Sequence, residues 1–144
     1  MALLKRQSDK AEALRRVPMF STLARKDLAE MARHVDEVSV PAGTVLAREG
    51  EQGNAFYLIL EGEAVVRRKD RKIATLGKGD CFGEMAIIDG QPRSATVAVT
   101  ADAVILEMHR RDFSYVLDRS PGFARRLLVV LSARLREADT KLIG

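Results

Sequence analysis

The chain has few of the residues that form cross-links, metal sites or catalytic clusters. Its single cysteine, Cys81, cannot form an internal disulfide, and its two histidines, His34 and His109, lack metal-ligand spacing. Hydrolytic catalysis needs a nucleophile with a base, or a metal-activated water, and no cluster of His, Cys or carboxylate residues offers either. We therefore expect a protein that is not an enzyme and that carries no metal and no cofactor.

The sequence also lacks a long hydrophobic run. No apolar stretch reaches the length of about 18 residues that a membrane helix needs, and the N-terminus does not resemble a signal peptide. We expect a cytoplasmic protein without membrane insertion. The net charge of +4, from 24 basic and 20 acidic residues, is compatible with a small anionic ligand or with nucleic acid.

Hydrophobic periodicity divides the 144 residues into three parts of one domain. Helical spacing over Met1–Val17 and Leu23–Val35, separated by Pro18, predicts an N-terminal helical cap at residues 1–35. The basic residues of the first helix alternate with Asp9 and Glu12, which favours a solvated face over a membrane or nucleic-acid contact. Residues 36–108 read instead as short strands separated by glycines, with a hairpin tip at Lys69-Asp70. The predicted strands are Glu37–Val40, Thr44–Ala47, Ala55–Glu61, Glu63–Arg68, Arg71–Leu76, Ser94–Thr100 and Ala103–Glu107.

Residues 109–144 return to a helical period. A short helix is predicted around Phe113, and Ser120-Pro121 supplies an N-cap and a first-position proline for a second helix that runs to about Ile143. The apolar positions of this last helix cover more of its circumference than one core face needs, which leaves a face for a ligand, a homodimer partner or a downstream protein. Only nine residues follow Leu135, too few for a helix-turn-helix, so we expect no direct DNA binding.

The segment from Phe82 to Val97 has the parts of a phosphate cradle. Gly83 allows close backbone approach, and a helical turn at Glu84–Ile88 would present free N–H groups to an anion. Asp89-Gly90-Gln91-Pro92 ends that turn, and the chain then supplies the fork of Arg93 and the hydroxyl of Ser94. Glu84 would be repelled by a phosphate and suits a sugar hydroxyl, although a surface ion pair between Glu84 and Arg93 is the alternative.

Two motifs in this chain resemble those of cyclic nucleotide-binding domains. Gly83-Glu84-Met85-Ala86 followed by Pro92-Arg93-Ser94-Ala95-Thr96-Val97 is similar to the phosphate-binding cassette of that family. The stretch from Gly50 to Gly62 resembles its second signature, a glycine-flanked turn that leads into a buried strand. The resemblance implies an α+β fold, an antiparallel double-sheet jelly roll with the cassette at residues 79–97, N-terminal helices and C-terminal lid helices.

The resemblance also implies roles for individual residues. Arg93 and Ser94, with the backbone N–H groups of Met85 and Ala86, would hold the cyclic phosphate. Glu84 and the backbone of Gly83 would hold the ribose. Ala95 would keep the cassette closely packed.

The purine would lie elsewhere in the same pocket. Val66 and Ala74 are candidates for its floor, with ordinary sheet packing as the alternative, and Leu131 or Arg134 could provide a lid contact from the last helix. Family members that prefer cyclic GMP often carry threonine at the position of Ser94, so cyclic AMP is the favoured ligand and cyclic GMP the alternative. A regulatory domain excised from a larger channel or kinase, and an interaction module that binds no nucleotide, also remain open.

Overall fold

Among the described residues, four helices flank the β region. The computed structural model describes residues 7–17, 20–21, 23–83 and 89–143. Helices α1 (Gln7–Arg15) and α2 (Arg25–Ala32) precede the sheet, and α3 (Arg110–Arg119) and α4 (Pro121–Ile143) follow it. None of the helices in these ranges combines the length and the apolar character that a membrane span requires.

The described strands are β1 Asp36–Val40, β2 Val45–Ala47, β3 Ala55–Arg68, β4 Arg71–Leu76, β5 Cys81–Phe82 and β6 Thr96–His109. They form one antiparallel sheet of six members in the order β1-β6-β3-β4, with β2 paired to β6 and β5 paired to β3. The edge strands β1 and β4 do not pair with each other, so the sheet is not closed. The predicted α+β class with an antiparallel roll is confirmed.

Two predicted strand breaks are wrong. Gly62 was expected in a turn between two strands, but β3 runs through it, with shifts of register against β6 on both sides. Gly62 has φ +101°, and a Cβ there would stand 2.6 Å from the Cβ of Ala103. Glycine is therefore needed at this point because β6 passes so close, and not because the chain reverses. The expected break before Ala103 is likewise absent, since β6 is one strand.

The tip of the β3–β4 hairpin agrees with the prediction. Lys69 and Asp70 both have positive φ, at 52° and 66°, which is the backbone geometry of a tight two-residue hairpin turn. The short strand β5 was not predicted, because two residues are too few to show an alternating pattern.

Alternation along β3 separates two hydrophobic cores. Phe56 and Leu58 pack among the helices, whereas Tyr57 and Ile59 face the interior of the roll. Ala64, from the other half of β3, belongs to the same interior cluster. Since a 14-residue strand contributes both of its halves to one cluster, the sheet curls around that core.

The junction of α3 and α4 is anchored in the helical core. The Phe123 ring lies 5.5 Å from that of Phe20 and 5.4 Å from that of Phe113. The backbone N–H of Phe123 donates to Ser120 Oγ at 3.2 Å, so the predicted N-cap of the last helix is confirmed.

Candidate functional site

A cavity of about 380 Å³ opens between the end of β5 and the start of β6. Its floor is apolar and comes from strands of the roll, and its rim is the polar loop that precedes β6. This combination of an apolar floor and a few convergent polar groups is typical of small-molecule sites. The lining residues are Ala47, Val66, Leu76, Cys81, Phe82, Gly83, Asp89, Gln91, Pro92, Arg93, Ser94, Ala95 and Val97.

Arg93 is the buried charged residue among those that line this cavity. Its side chain is only 8% exposed. Nη2 donates to the backbone carbonyl of Ala55 at 2.6 Å, and Nη1 donates to that of Gly83 at 3.3 Å. Burying a guanidinium is costly unless its donors are satisfied, and these carbonyls satisfy part of that demand while they orient the fork.

The backbone of Arg93 is held by the segment that follows β2. Its N–H donates to the carbonyl of Glu51 at 2.8 Å, and its carbonyl accepts from the N–H of Gly50 at 2.9 Å. Gln52 and Pro92 form an isolated antiparallel bridge beside these bonds. The two motifs noted in the sequence are therefore parts of one structure, in which the first clamps the arginine of the second.

Gly83 makes the approach of Arg93 possible. Its φ is +97°, and a Cβ built there would stand 2.6 Å from Arg93 Nη1 and 2.7 Å from the carbonyl oxygen of Ala55. Any other residue would need both a disfavoured backbone conformation and a displacement of its neighbours. Gly83 therefore allows a close approach, as predicted, and the groups that approach it are the Arg93 guanidinium and the Ala55 carbonyl.

Tyr57 lies beneath the arginine. The Arg93 Cζ is 6.0 Å from the Tyr57 ring centroid, and that ring packs 5.0 Å from the ring of Phe82. Burial raises the pKa of the Tyr57 phenol, the carboxylate of Glu107 raises it further, and Arg93 lowers it. The net direction is upward, so desolvation outweighs the nearby positive charge.

The loop that forms the rim is braced from several sides. Asp89 Oδ1 accepts the N–H of Gln91 at 2.9 Å, which confirms Asp89 as a turn former. Gln52 Nε2 donates to the carbonyl of Gly90 at 3.1 Å. Ser94 is exposed at the rim, and its carbonyl accepts from Arg68 Nε at 3.0 Å. The side chain of Ser94 therefore faces accessible space, while its backbone is tied to the β3–β4 hairpin.

The structure brings together some of the predicted site residues. Gly83, Arg93, Ser94 and Ala95 all line the cavity. Glu84, Met85 and Ala86 lie outside the described residues, as does the helical turn predicted for Glu84–Ile88.

The predicted purine contacts are divided. Val66 lines the cavity. Ala74 lies opposite Val66 across the β3–β4 ladder and is exposed, but it is not among the lining residues of the described chain. Leu131 packs against the helical core, and the side chain of Arg134 lies outside the described residues.

Several lining and supporting residues escaped the sequence analysis. Ala55 contributes a backbone carbonyl, which leaves no mark in a sequence, and Phe82 belongs to the short strand that was missed. Cys81 packs against the helical core and also reaches the cavity wall. Within the described ranges, no group of three or more His, Cys, Asp or Glu side chains could hold a metal ion.

Comparison with known proteins identifies the family to which this site belongs. The family model for the cyclic nucleotide-binding domain matches residues 37–120. This span includes β2 to β6, all of β1 except Asp36, and both Arg93 and the Gly50–Gln52 segment that holds its backbone. The chain is a cyclic nucleotide-binding domain. The resemblance noted from the cassette is thereby confirmed.

Relatives of this domain occur in proteins of different kinds. A cyclic nucleotide-gated potassium channel from Rhizobium etli is 39% identical over 111 residues, which are 77% of this chain and 31% of the channel. A cAMP-dependent protein kinase regulatory subunit from Aspergillus fumigatus is 35% identical over 115 residues, 78% of this chain and 28% of the subunit.

A solved structure gives the same result for the fold. The catabolite activator protein of Thermus thermophilus superposes with a TM-score of 0.79 at 32% identity, over 87% of this chain and 61% of that protein. The chain thus spans less than two thirds of each of these three relatives.

Proposed function

We propose that this cyclic nucleotide-binding domain binds cyclic AMP, with cyclic GMP as the alternative ligand, and acts as a ligand-gated regulatory module. The observation that carries the proposal is the buried fork of Arg93, held by two backbone carbonyls at the rim of a cavity of about 380 Å³. A planar guanidinium beside an apolar floor suits a ligand with an anionic phosphate and a flat base.

In the proposed complex the cyclic phosphate lies against Arg93 and the hydroxyl of Ser94. The backbone N–H groups of Met85 and Ala86 complete the anion site, and Glu84 accepts the ribose hydroxyl. The purine extends over Val66. Ser94 keeps a hydroxyl that can accept from a guanine amino group, as a threonine would. It lacks the methyl group that restricts the rotamers of threonine, so this contact is weaker and Ser94 favours cyclic AMP only mildly.

The lid in this proposal is the later part of α4. Phe123 and Leu127 are 1% and 4% exposed in the helical core, so they anchor its beginning. Leu128 and Leu135 are 68% and 71% exposed, and none of the described cavity-lining residues belongs to α4. Closure over the purine by Leu131 or Arg134 therefore requires α4 to move relative to the roll. Such a movement shifts the population between two states only if the ligand binds the closed state more tightly.

We further propose that the domain binds its ligand without turnover and regulates another part of the same protein or a separate partner in the cytoplasm. The relatives support this setting, since the domain makes up 31% of the channel and 28% of the kinase regulatory subunit.

The test is a calorimetric titration of nucleotide-stripped protein with cyclic AMP and, separately, cyclic GMP. We expect one site with micromolar or tighter affinity for one of them. Arg93→Ala should lose about 2 to 4 kcal/mol of binding free energy, because the phosphate loses a charged, bidentate partner. Arg25→Ala, which removes an exposed positive charge from α2, is the matched control and should bind like the wild type.

Circular dichroism and urea unfolding of each variant separate loss of binding from loss of fold. If folded wild-type protein binds neither nucleotide, the ligand proposal is wrong, and the domain is an interaction module. If folded Arg93→Ala binds as tightly as Arg25→Ala, the phosphate lies somewhere other than beside Arg93.

A further inference from the structure

The β3–β4 hairpin concentrates the positive charge of the molecule. Residues 67–72 contain five basic residues and one acidic residue, a net charge of +4 that equals the formal net charge of the whole chain. All six residues are exposed. None of the five basic side chains forms an ion pair with a carboxylate of the described residues. The hairpin is therefore a compact cationic surface on a protein that is otherwise neutral overall.

This arrangement works against the stability of the hairpin. Arg67 lies opposite Lys72, and Arg68 lies opposite Arg71, so two like-charged pairs follow each other along the ladder. Like charges directly across an antiparallel pair are destabilising. Lys69 and Asp70 both adopt positive φ without being glycine, which adds strain at the tip. Two contacts brace the hairpin: the Lys69 N–H donates to Glu49 Oε1 at 2.9 Å, and Arg68 Nε donates to the Ser94 carbonyl at 3.0 Å. Neither of them pairs a basic side chain of the hairpin with a carboxylate. Departures from local preference of this kind are expected at functional surfaces.

The hairpin also offers an open edge. β4 pairs with β3 alone, so its outer edge has no partner among the described strands. Residues Arg71 to Thr75 are all exposed, and they include Ile73, which is 48% exposed. An exposed edge presents a row of backbone donors and acceptors to any extended chain that approaches it. The positive charges of this edge repel a second copy of the same edge, but they attract an acidic strand.

We propose that an extended acidic segment of a partner protein docks on this hairpin by adding a strand to the free edge of β4. Backbone hydrogen bonds to β4 provide the affinity, and carboxylates opposite Arg71 or Lys72, which lie on opposite faces of β4, provide the selectivity. Arginine suits this role because its fork binds a carboxylate through two hydrogen bonds. The proposal depends on the hairpin alone and holds with or without nucleotide in the cavity.

The hairpin fits other polyanions less well. Residues 67–76 contain no aromatic side chain, so single-stranded nucleic acid would find no stacking platform. A membrane surface would need no free strand edge, and of the hairpin side chains only Ile73 is a large exposed hydrophobic group. The open edge therefore favours an extended peptide over a lipid surface.

The experiment uses a fluorescein-labelled decapeptide of alternating glutamate and valine, followed by fluorescence anisotropy with the full chain. A decapeptide with glutamine in place of glutamate controls for charge. Two decapeptides with alternate backbone nitrogens methylated, one on the glutamates and one on the valines, control for strand addition. Vesicles containing phosphatidylserine and a 20-base-pair DNA duplex test the competing classes of partner.

We expect saturable binding of the acidic decapeptide, weaker binding of the glutamine version, and loss of binding with one of the two methylated versions. The double variant Arg71→Glu/Lys72→Glu should bind the acidic peptide about tenfold more weakly or worse. Arg25→Glu/Lys26→Glu makes the same change of net charge on the exposed start of α2 and should bind normally. Circular dichroism confirms that both variants are folded.

Each contrary result overturns the proposal. Equal binding of both methylated peptides would show attraction by charge without strand addition. Equal loss of binding in the two double variants would show dependence on net charge alone. Binding to vesicles or to the DNA duplex, with no binding of the peptide, would assign the surface to that partner instead.

Discussion

Replacement of Gly83 by alanine tests whether the close contact between this residue and Arg93 supports both the fold and the site. Alanine at φ +97° adopts a backbone conformation that L-residues disfavour. Its Cβ would also stand 2.7 Å from the carbonyl oxygen of Ala55, which β3 holds opposite His109 in β6. The guanidinium of Arg93, 2.6 Å from the new Cβ, is the end of a flexible side chain and would move first.

The expected loss has two contributions. The positive φ costs about 1 to 2 kcal/mol for any residue with a Cβ. Displacement of the guanidinium also weakens its hydrogen bonds to Ala55 and Gly83, and a hydrogen bond to a charged group contributes about 1.5 to 3 kcal/mol. Because the displaced guanidinium regains part of these contacts, we expect the free energy of unfolding to fall by about 2 to 4 kcal/mol in total. Nucleotide affinity should fall by about tenfold or more, because the fork no longer points where the phosphate binds.

Gly43→Ala separates the two contributions. Gly43 lies outside the cassette and has a similar φ of +95°, but a Cβ there would meet nothing within 4 Å. Urea unfolding should therefore show a loss of about 1 to 2 kcal/mol for Gly43→Ala, with nucleotide affinity unchanged by calorimetry. If Gly83→Ala is no less stable than Gly43→Ala and binds nucleotide as tightly, the contact with Arg93 has no energetic importance and the reasoning fails.

Three further predictions concern the same site. Arg93→Lys keeps the charge but loses the fork, so calorimetry should show nucleotide binding weakened by about tenfold or more; unchanged affinity would mean that charge alone suffices. Iodoacetamide should alkylate Cys81, which lines the cavity, several-fold more slowly in saturating cyclic AMP, and an unchanged rate would count against binding in this cavity. Because the pKa of Tyr57 is raised in the folded protein, ionisation of its phenol opposes folding. The free energy of unfolding should therefore be highest below the ordinary tyrosine pKa of about 10 and should decrease as pH rises through the folded-state pKa. In urea unfolding from roughly pH 8 to 11, Tyr57→Phe should lack that decrease and Tyr115→Phe should keep it; equal decreases in both variants would exclude Tyr57 as the cause.

The sequence was sufficient for features that depend on neighbours along the chain. The N-cap at Ser120 and the turn at Lys69-Asp70 were predicted correctly, because each depends on a few adjacent residues. Gly62 shows where such reasoning fails. A glycine between two β-rich runs is typical of a turn, but here the glycine admits Ala103 of a strand about forty residues later. Only the packed sheet distinguishes these two uses of a glycine.

The candidate site shows the same contrast between features set by neighbouring residues and features set by the fold. Arg93, Gly83 and Ser94 were identified because they belong to one contiguous motif. The groups that position Arg93 were not, since they are backbone atoms of Gly50, Glu51 and Ala55. Backbone atoms are common to all residues, so no residue type reveals which carbonyl will meet a guanidinium about forty positions away. The fold is what decides that pairing.

Because the fold holds Arg93 in place, binding of an anion costs less side-chain entropy. Surface arginines lose much side-chain entropy when they bind a phosphate, whereas Arg93 is already held by two carbonyls and by backbone bonds to both Gly50 and Glu51. Preorganisation of this kind strengthens binding by reducing the cost of ordering, without any additional contact to the ligand. It also means that the stability of the loop and the affinity for nucleotide depend on the same bonds. Substitutions that loosen the Gly50–Gln52 segment should therefore weaken nucleotide binding even though they touch no ligand atom.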